Sequence, residues 1–276
     1  MPSHAPIGVF DSGVGGLSVL REIRRLLPAE DLVYVADSAA APYGEKTREF
    51  ITDRSRTMTR FLADRGAKAV VVACNTATVV AVQALRAEFR LPIIAIEPAV
   101  KPAAEQTTVG VIGVLATSQT LASESVSRLM RQHGGAVRVV LRAAPGLVEQ
   151  VERGEIDEPA TRSLVERYVR PLVAEGVDTI VLGCTHYPFL TRVIQEAAGP
   201  AVTVIDPAVA VARELARRLT AGDLKADSSR GGVDEFWTSG DPDQVGRVMA
   251  LLWGRAVKVQ QVPGARVSSE LNRTAL

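Results

Sequence analysis

Cysteine is nearly missing from this chain: its 276 residues include two, Cys74 and Cys184. That excludes a disulfide framework, and in a reducing compartment both thiols are free. Neither lies in a CxxC pair and no HxxxH pair accompanies them. A preorganised zinc site built on Cys74, Cys184, His186 and Asp11, or a redox pair, therefore has little support. Charge of one sign is also lacking: 32 basic side chains face 31 acidic ones, for a net charge of +1. No overall field draws the protein to nucleic acid or to an anionic membrane, and with 4% aromatics there is no stacking surface for bases either. No apolar run approaches the ~20 residues of a membrane helix. The N-terminal residues have no basic stretch followed by an apolar core, so the expected location is the cytoplasm. A dinucleotide fingerprint starting at Gly13 reaches Gly15 but then meets Ser18 where the third glycine belongs, and a Walker lysine is absent.

What is present is a globular composition, 47% apolar and 23% charged, in a chain long enough for two domains of ordinary size. The strongest local feature is Val70-Val71-Val72-Ala73-Cys74-Asn75-Thr76-Ala77-Thr78, an apolar run that stops on a thiol and turns polar. It is echoed by Ile180-Val181-Leu182-Gly183-Cys184-Thr185-His186-Tyr187-Pro188.

The pattern predicts strands over 7–10, 32–36, 68–73 and 92–96, with helices over 17–27, 47–65 and 76–89 between them. Alternation of this kind argues for βαβ units and parallel sheets. It restarts at 109, with strands over 109–113, 137–141, 178–183 and 202–205 and helices over 145–153 and 159–175. The two openings are offset by 102 residues and the two cysteines by 110, which suggests an internal duplication. A helix over 208–219, a polar loop over 227–232 and a strand, helix and strand ending at 261 complete the chain. The last segment is expected to return to the first domain, and residues from 263 onward to be loosely ordered. The expected class is α/β, with two parallel-sheet domains: residues 1–97 plus 207–276, and residues 98–206.

Ligand sites of parallel sheets lie off the carboxyl ends of the strands. The residues there are Asp11, Ser12, Asp37, Cys74, Asn75, Thr76, Thr117, Ser118, Cys184, Thr185 and His186. A single free cysteine is most often an inert buried residue, but two at matching strand ends are not explained that way. Both precede a polar residue at an expected helix start, where the dipole lowers a thiol's pKa. The turn from Asp11 to Gly16 reads as exposing Asp11, Ser12 and free amides to a ligand; taken alone, a plain tight turn fits it as well. His186 reads equally as a substrate-orienting group and as a hydrogen-bonding spectator. Glu152 reads as solvated helix surface. Two thiols across a cleft suit removal of a proton from one face of a carbon and its return to the other, one sulfur as base and one as acid. Strand-end amides and hydroxyls would stabilise the carbanion.

Four motifs carry a resemblance that spans almost the whole chain: Ile7-Gly8-Val9-Phe10-Asp11-Ser12-Gly13-Val14-Gly15-Gly16-Leu17, Pro42-Tyr43-Gly44, Ala73-Cys74-Asn75-Thr76-Ala77 and Leu182-Gly183-Cys184-Thr185-His186-Tyr187-Pro188. In order and spacing they resemble the cofactor-independent aspartate/glutamate racemases. The resemblance implies two α/β domains related by a pseudo-twofold axis, with the active site in the cleft between them. It implies interconversion of L- and D-glutamate, with the D-isomer used in peptidoglycan synthesis, and neither cofactor nor metal. It makes Cys74 and Cys184 the acid/base pair, assisted by Asp11, Glu152 and His186. Substrate would be held by Asp11, Ser12, Pro42, Tyr43, Gly44, Asn75, Thr76, Thr117, Thr185 and His186. A homodimer is implied, and some members of the family bind DNA gyrase. Aspartate or another small acid remains an alternative substrate, and a gyrase-binding role beside catalysis an alternative function. The chain departs from the family pattern at Ala36-Asp37-Ser38, Ala144-Pro145 and Asp206-Pro207, and in an unusually apolar stretch, Val114-Leu115-Ala116, read as a loop before Thr117.

Overall fold

The apolar runs become strands because helices cover both of their faces. Ile7–Asp11 (β1), Leu32–Ala36 (β2) and Ala69–Val72 (β3) are buried at every position, as parallel strands between two helical layers must be. Leu17–Leu26 (α1), Arg48–Asp64 (α2) and Asn75–Glu88 (α3) make the intervening crossovers, and Ile93–Ala95 (β4) ends the first series. The computed structural model describes residues 4–97, 99–124, 126–128, 137–227 and 231–264.

Val100–Gln106 (α4) leads into the second series: Val111–Ala116 (β5), Ser118–Leu121 (α5), Arg138–Ala143 (β6), Leu147–Glu152 (α6), Pro159–Ala174 (α7), Thr179–Gly183 (β7), Thr191–Ala198 (α8) and Thr203–Ile205 (β8). Ala208–Ala221 (α9), Asp234–Thr238 (β9), Pro242–Trp253 (α10) and Val259–Gln261 (β10) close the chain.

Among the described residues the strands form two all-parallel sheets, ordered β10-β9-β2-β1-β3-β4 and β6-β5-β7-β8. The four-strand order β2-β1-β3-β4 is repeated as β6-β5-β7-β8, so the duplication suggested by the sequence is one of topology. The C-terminal β9 and β10 extend the first sheet from its β2 edge. The protein is thus built of two parallel-sheet α/β domains. One apolar cluster joins them, running from Ile7, Val9 and Leu17 through Val151 to Leu182 and Tyr187. Separate clusters cover the outer face of each sheet.

Two expectations change. Val114-Leu115-Ala116 is the buried end of β5 rather than a loop, which accounts for its apolar character. The polar turn after Cys184 leads first into a short 3-10 turn, Tyr187–Leu190, and only then into α8. Cys184 therefore does not sit at the N-terminus of an α-helix as Cys74 does. Residue 98, residues 228–230 of the expected polar loop and 265–276 of the expected loose tail lie outside the described residues. No helix among the described residues is long and apolar enough to cross a membrane.

Candidate functional site

The third strand of each four-strand unit leads to a cysteine: β3 ends at Val72, two residues before Cys74, and β7 at Gly183, next to Cys184. Both side chains are buried, at 4% and 7% exposure. Cys74 is the N-cap of α3: its sulfur accepts from Ala77 N at 3.4 Å, and its thiol donates to Ser12 Oγ at 3.5 Å. The helix-start argument nevertheless fails for Cys74. Burial and the neighbouring Asp11 carboxylate push the thiol well up, outweighing the Ala77 and Ser12 hydrogen bonds, and a charge on Cys184 adds to the push.

Cys184 has different company. Its sulfur lies 3.7 Å from His186 Nδ1, and His186 Nε2 is 2.6 Å from Glu152 Oε1. Burial opposes a charge on His186, but its hydrogen bonds to Cys184 and Glu152 prevail and hold the imidazole well above its usual value. Glu152 closes α6, and the same Oε1 accepts from Val14 N at 2.7 Å. The sequence reading of Glu152 as solvated surface is therefore wrong. Its place is set by docking of the second domain on the loop after β1, which no local pattern reveals.

That loop also departs from expectation. Asp11 Oδ2 accepts from Gly13 N at 3.2 Å and from Gly16 N at 3.1 Å, so with Val14 N three of its amides are already taken by carboxylates. The glycines serve close approach instead. A Cβ on Gly13 would overlap the Glu152 carboxylate, one on Gly15 would overlap His186 Nδ1, and one on Gly16 would come within 2.7 Å of Asp11 Cβ. Tyr34 donates its hydroxyl to Gly13 O at 2.6 Å, and the single Ser18 hydroxyl proton lies between Gly15 O and Thr185 O, within hydrogen-bond distance of both. Asp11 itself is wholly buried; burial pushes its carboxyl up against the lowering influence of His186. Its Oδ1 accepts from Thr185 Oγ1 at 3.2 Å, a bond from one domain to the other.

Other expected residues meet one another across the two domains. Thr76 Oγ1 is 3.1 Å from Thr117 Oγ1, and Thr117 caps α5 through Thr120 N. Both polar atoms of the Asn75 amide are buried without a partner, a cost that a ligand's carboxylate and ammonium groups would relieve. Pro42 and Gly44 share the wall of a cleft-mouth cavity of about 50 Å³ with Thr117, Ser118 and Glu149. Tyr43 is the exception, since its hydroxyl donates to Asp37 Oδ2 at 2.6 Å and its side chain is fully engaged there. Sequence reasoning missed Thr120, three residues after the Thr117 cap at a spacing that announces it, and Tyr34, whose role depends on the glycine turn beside it.

The profile of the Asp/Glu/Hydantoin racemase family matches residues 7–215. The chain is 53% identical over 258 residues to a glutamate racemase from Methylococcus capsulatus, a match covering 94% of this chain and 95% of that one. Among solved structures, a glutamate racemase isoform from Bacillus anthracis superposes with a TM-score of 0.88 at 34% identity, over 96% of this chain and 99% of the other. Escherichia coli glutamate racemase, in complex with L-glutamate and the activator UDP-MurNAc-Ala, superposes with a TM-score of 0.81 at 31% identity, over 93% and 97% of the two chains.

Proposed function

This chain belongs to the Asp/Glu/Hydantoin racemase family, and from that premise we propose that it interconverts L- and D-glutamate by moving the α-proton between Cys74 and Cys184, without a cofactor. One observation carries the reading. Two buried thiols stand just past the ends of equivalent strands of a repeated sheet, each with polar partners of its own. In either direction one sulfur, as thiolate, takes the proton from Cα, breaking C–H and making S–H. The other, as thiol, gives its proton to the opposite face.

Asp11 assists on the Cys74 side, and His186 with Glu152 on the Cys184 side. The Asn75 amide, the hydroxyls of Ser12, Thr76, Thr117 and Thr185, and the backbone of the Pro42-Tyr43-Gly44 turn hold the carboxylates and the amine. They stabilise charge where the carbanion forms, in a site whose walls exclude water. Residues 1–97 with 207–276 form the first domain of this reading and 98–206 the second, with substrate between them. The D-isomer supplies peptidoglycan synthesis in the cytoplasm, and the working assembly is a homodimer, checked by sedimentation. An effect on DNA gyrase, which some members of the family exert, is tested by a supercoiling assay with and without the protein.

Incubation with L-glutamate in D₂O is expected to yield D-glutamate carrying deuterium at Cα. Absence of both the D-isomer and the deuterium would overturn the activity. Unimpaired racemisation by Cys74→Ser or Cys184→Ser would overturn the mechanism alone.

A further inference from the structure

One buried ionic cluster near the cleft takes no part in the proton transfer. Asp37 follows β2 at the ligand end of the first sheet and is wholly buried. Its carboxylate is held by the guanidinium of Arg54, from the middle of α2, with Nε to Oδ2 at 2.8 Å and Nη2 to Oδ1 at 2.5 Å. The same Oδ2 accepts the Tyr43 hydroxyl at 2.6 Å. A two-point Arg–carboxylate fork fixes direction as well as distance. The chain Arg54–Asp37–Tyr43 therefore ties the loop after β2 to a helix that is itself packed on the sheet.

What this chain holds in place is the part of the first domain that meets the second at the cleft mouth. The turn Tyr43–Glu45 brings Gly44 so near Thr117 that a Cβ there would stand 3.2 Å from the threonine Cβ. Lys46 O accepts from Gln119 Nε2 at 3.3 Å. Because the Tyr43 hydroxyl is spent on Asp37 and Pro42 has no N–H, the turn can offer an anionic substrate only the backbone amides of Tyr43 and Gly44. Backbone amides cannot re-aim themselves as a side chain does, so their value depends on where the turn is held.

We propose that Arg54 is a positioning residue: through Asp37 and Tyr43 it sets the Pro42-Tyr43-Gly44 turn so that its amides receive one carboxylate of the substrate. The inference rests on the racemase reading for the identity of that substrate. Arg54 acts on the turn through its fork to Asp37, so its effect falls on binding rather than on proton transfer.

The test compares Arg54→Lys with Tyr43→Phe. Arg54→Lys keeps the buried charge opposite Asp37 and loses the fork. Tyr43→Phe cuts the same chain at its other end and keeps the Arg54–Asp37 pair, so it stands in should the lysine variant fold poorly. Each is expected to raise KM for both enantiomers about tenfold, the worth of one charge-assisted hydrogen bond, with kcat within about twofold of the parent as uniform binding loss requires. The double variant should cost little more than either single one. Unchanged KM in a folded variant, or a fall in kcat with KM intact, overturns the proposal. L-Glutamate affinity measured by calorimetry gives the same comparison without turnover. A parent that binds but does not racemise would sink the racemase reading while leaving this one open to the same measurement.

Discussion

Replacing Gly13 with alanine tests whether the second domain's acid is positioned by the first domain's loop. The new methyl would overlap Glu152 Oε1 and stand 2.6 Å from its Cδ, so the carboxylate must leave. It is the far end of a flexible side chain, so the fold yields cheaply: ~1 kcal/mol, or a melting point lower by ~2–4 °C for a chain of this size. The site does not yield cheaply. Glu152 Oε1 gives up hydrogen bonds to Val14 N at 2.7 Å and to His186 Nε2 at 2.6 Å. A hydrogen bond to a charged group contributes ~1.5–3 kcal/mol, which at ~1.4 kcal/mol per decade is a loss of roughly 10- to 150-fold in rate if it acts in the transition state. Racemisation followed by circular dichroism, beside a thermal melt, separates the two effects. In a Glu152→Ala background the space is already free, so Gly13→Ala should then cost less than about twofold. Full activity in Gly13→Ala, or the same loss in both backgrounds, would refute the reasoning.

Three further outcomes follow from charged groups held by specific partners. His186 is held above its ordinary value, so the stability it adds is fully present below the unfolded value of ~6.5 and is lost as pH rises through the raised one. The gap in urea midpoint between parent and His186→Gln should shrink from pH 6 toward alkaline pH, and a widening gap would contradict the assignment. At Asp178 burial works to raise the carboxyl, but Thr107 Oγ1, Thr108 N and Oγ1, and Val109 N hold it well below its usual range. Asp178→Ala should cost ~1–2 kcal/mol at neutral pH, discounted for partial exposure; the parent's advantage should disappear only as pH falls through that depressed value, and a loss already complete at pH 5 would count against it. Lys68 and Glu30 form a 2.6 Å ion pair with side chains 0% and 3% exposed. Lys68→Met should cost ~3–5 kcal/mol by stranding a carboxylate, and Lys68→Met with Glu30→Gln should recover most of it, a recovery whose absence in urea titrations would disprove the pairing argument.

The strands were legible because a strand covered on both faces must be a continuous apolar run, and β1, β3, β5 and β7 are such runs. Cys74 and Cys184 were legible because each interrupts one of them. What local sequence could not carry was any property set by the docking of one domain on the other. Glu152 sits at the end of an ordinary short helix, and its two partners, Val14 and His186, lie 138 and 34 residues away. Gly13 and Gly15 look like turn residues, yet what they exclude is a methyl group against that carboxylate and imidazole. The helix-start argument for Cys74 failed on magnitude. One backbone hydrogen bond at 3.4 Å is outweighed by complete desolvation beside a buried Asp11. Asp37 was placed at a strand end by pattern alone, but Arg54, one of many arginines on an amphipathic helix, gave no sign that it reaches it.

The duplicated topology makes the remaining asymmetry informative. At the end of the first strand of each unit stand Asp11-Ser12 and Ala116-Thr117; at the end of the third stand Cys74-Asn75-Thr76 and Cys184-Thr185-His186. The carboxylate belongs to one half only and the imidazole to the other, and each reaches across. Asp11 binds Thr185, while Glu152, holding His186, binds Val14. Each thiol keeps its partners within its own domain, Ser12 and Ala77 for Cys74 and His186 with Glu152 for Cys184, and what docking adds is the placement of those partners. Parting the domains would break the Asp11–Thr185 and Glu152–Val14 bonds, which tie the loop after β1 to the partners of Cys184.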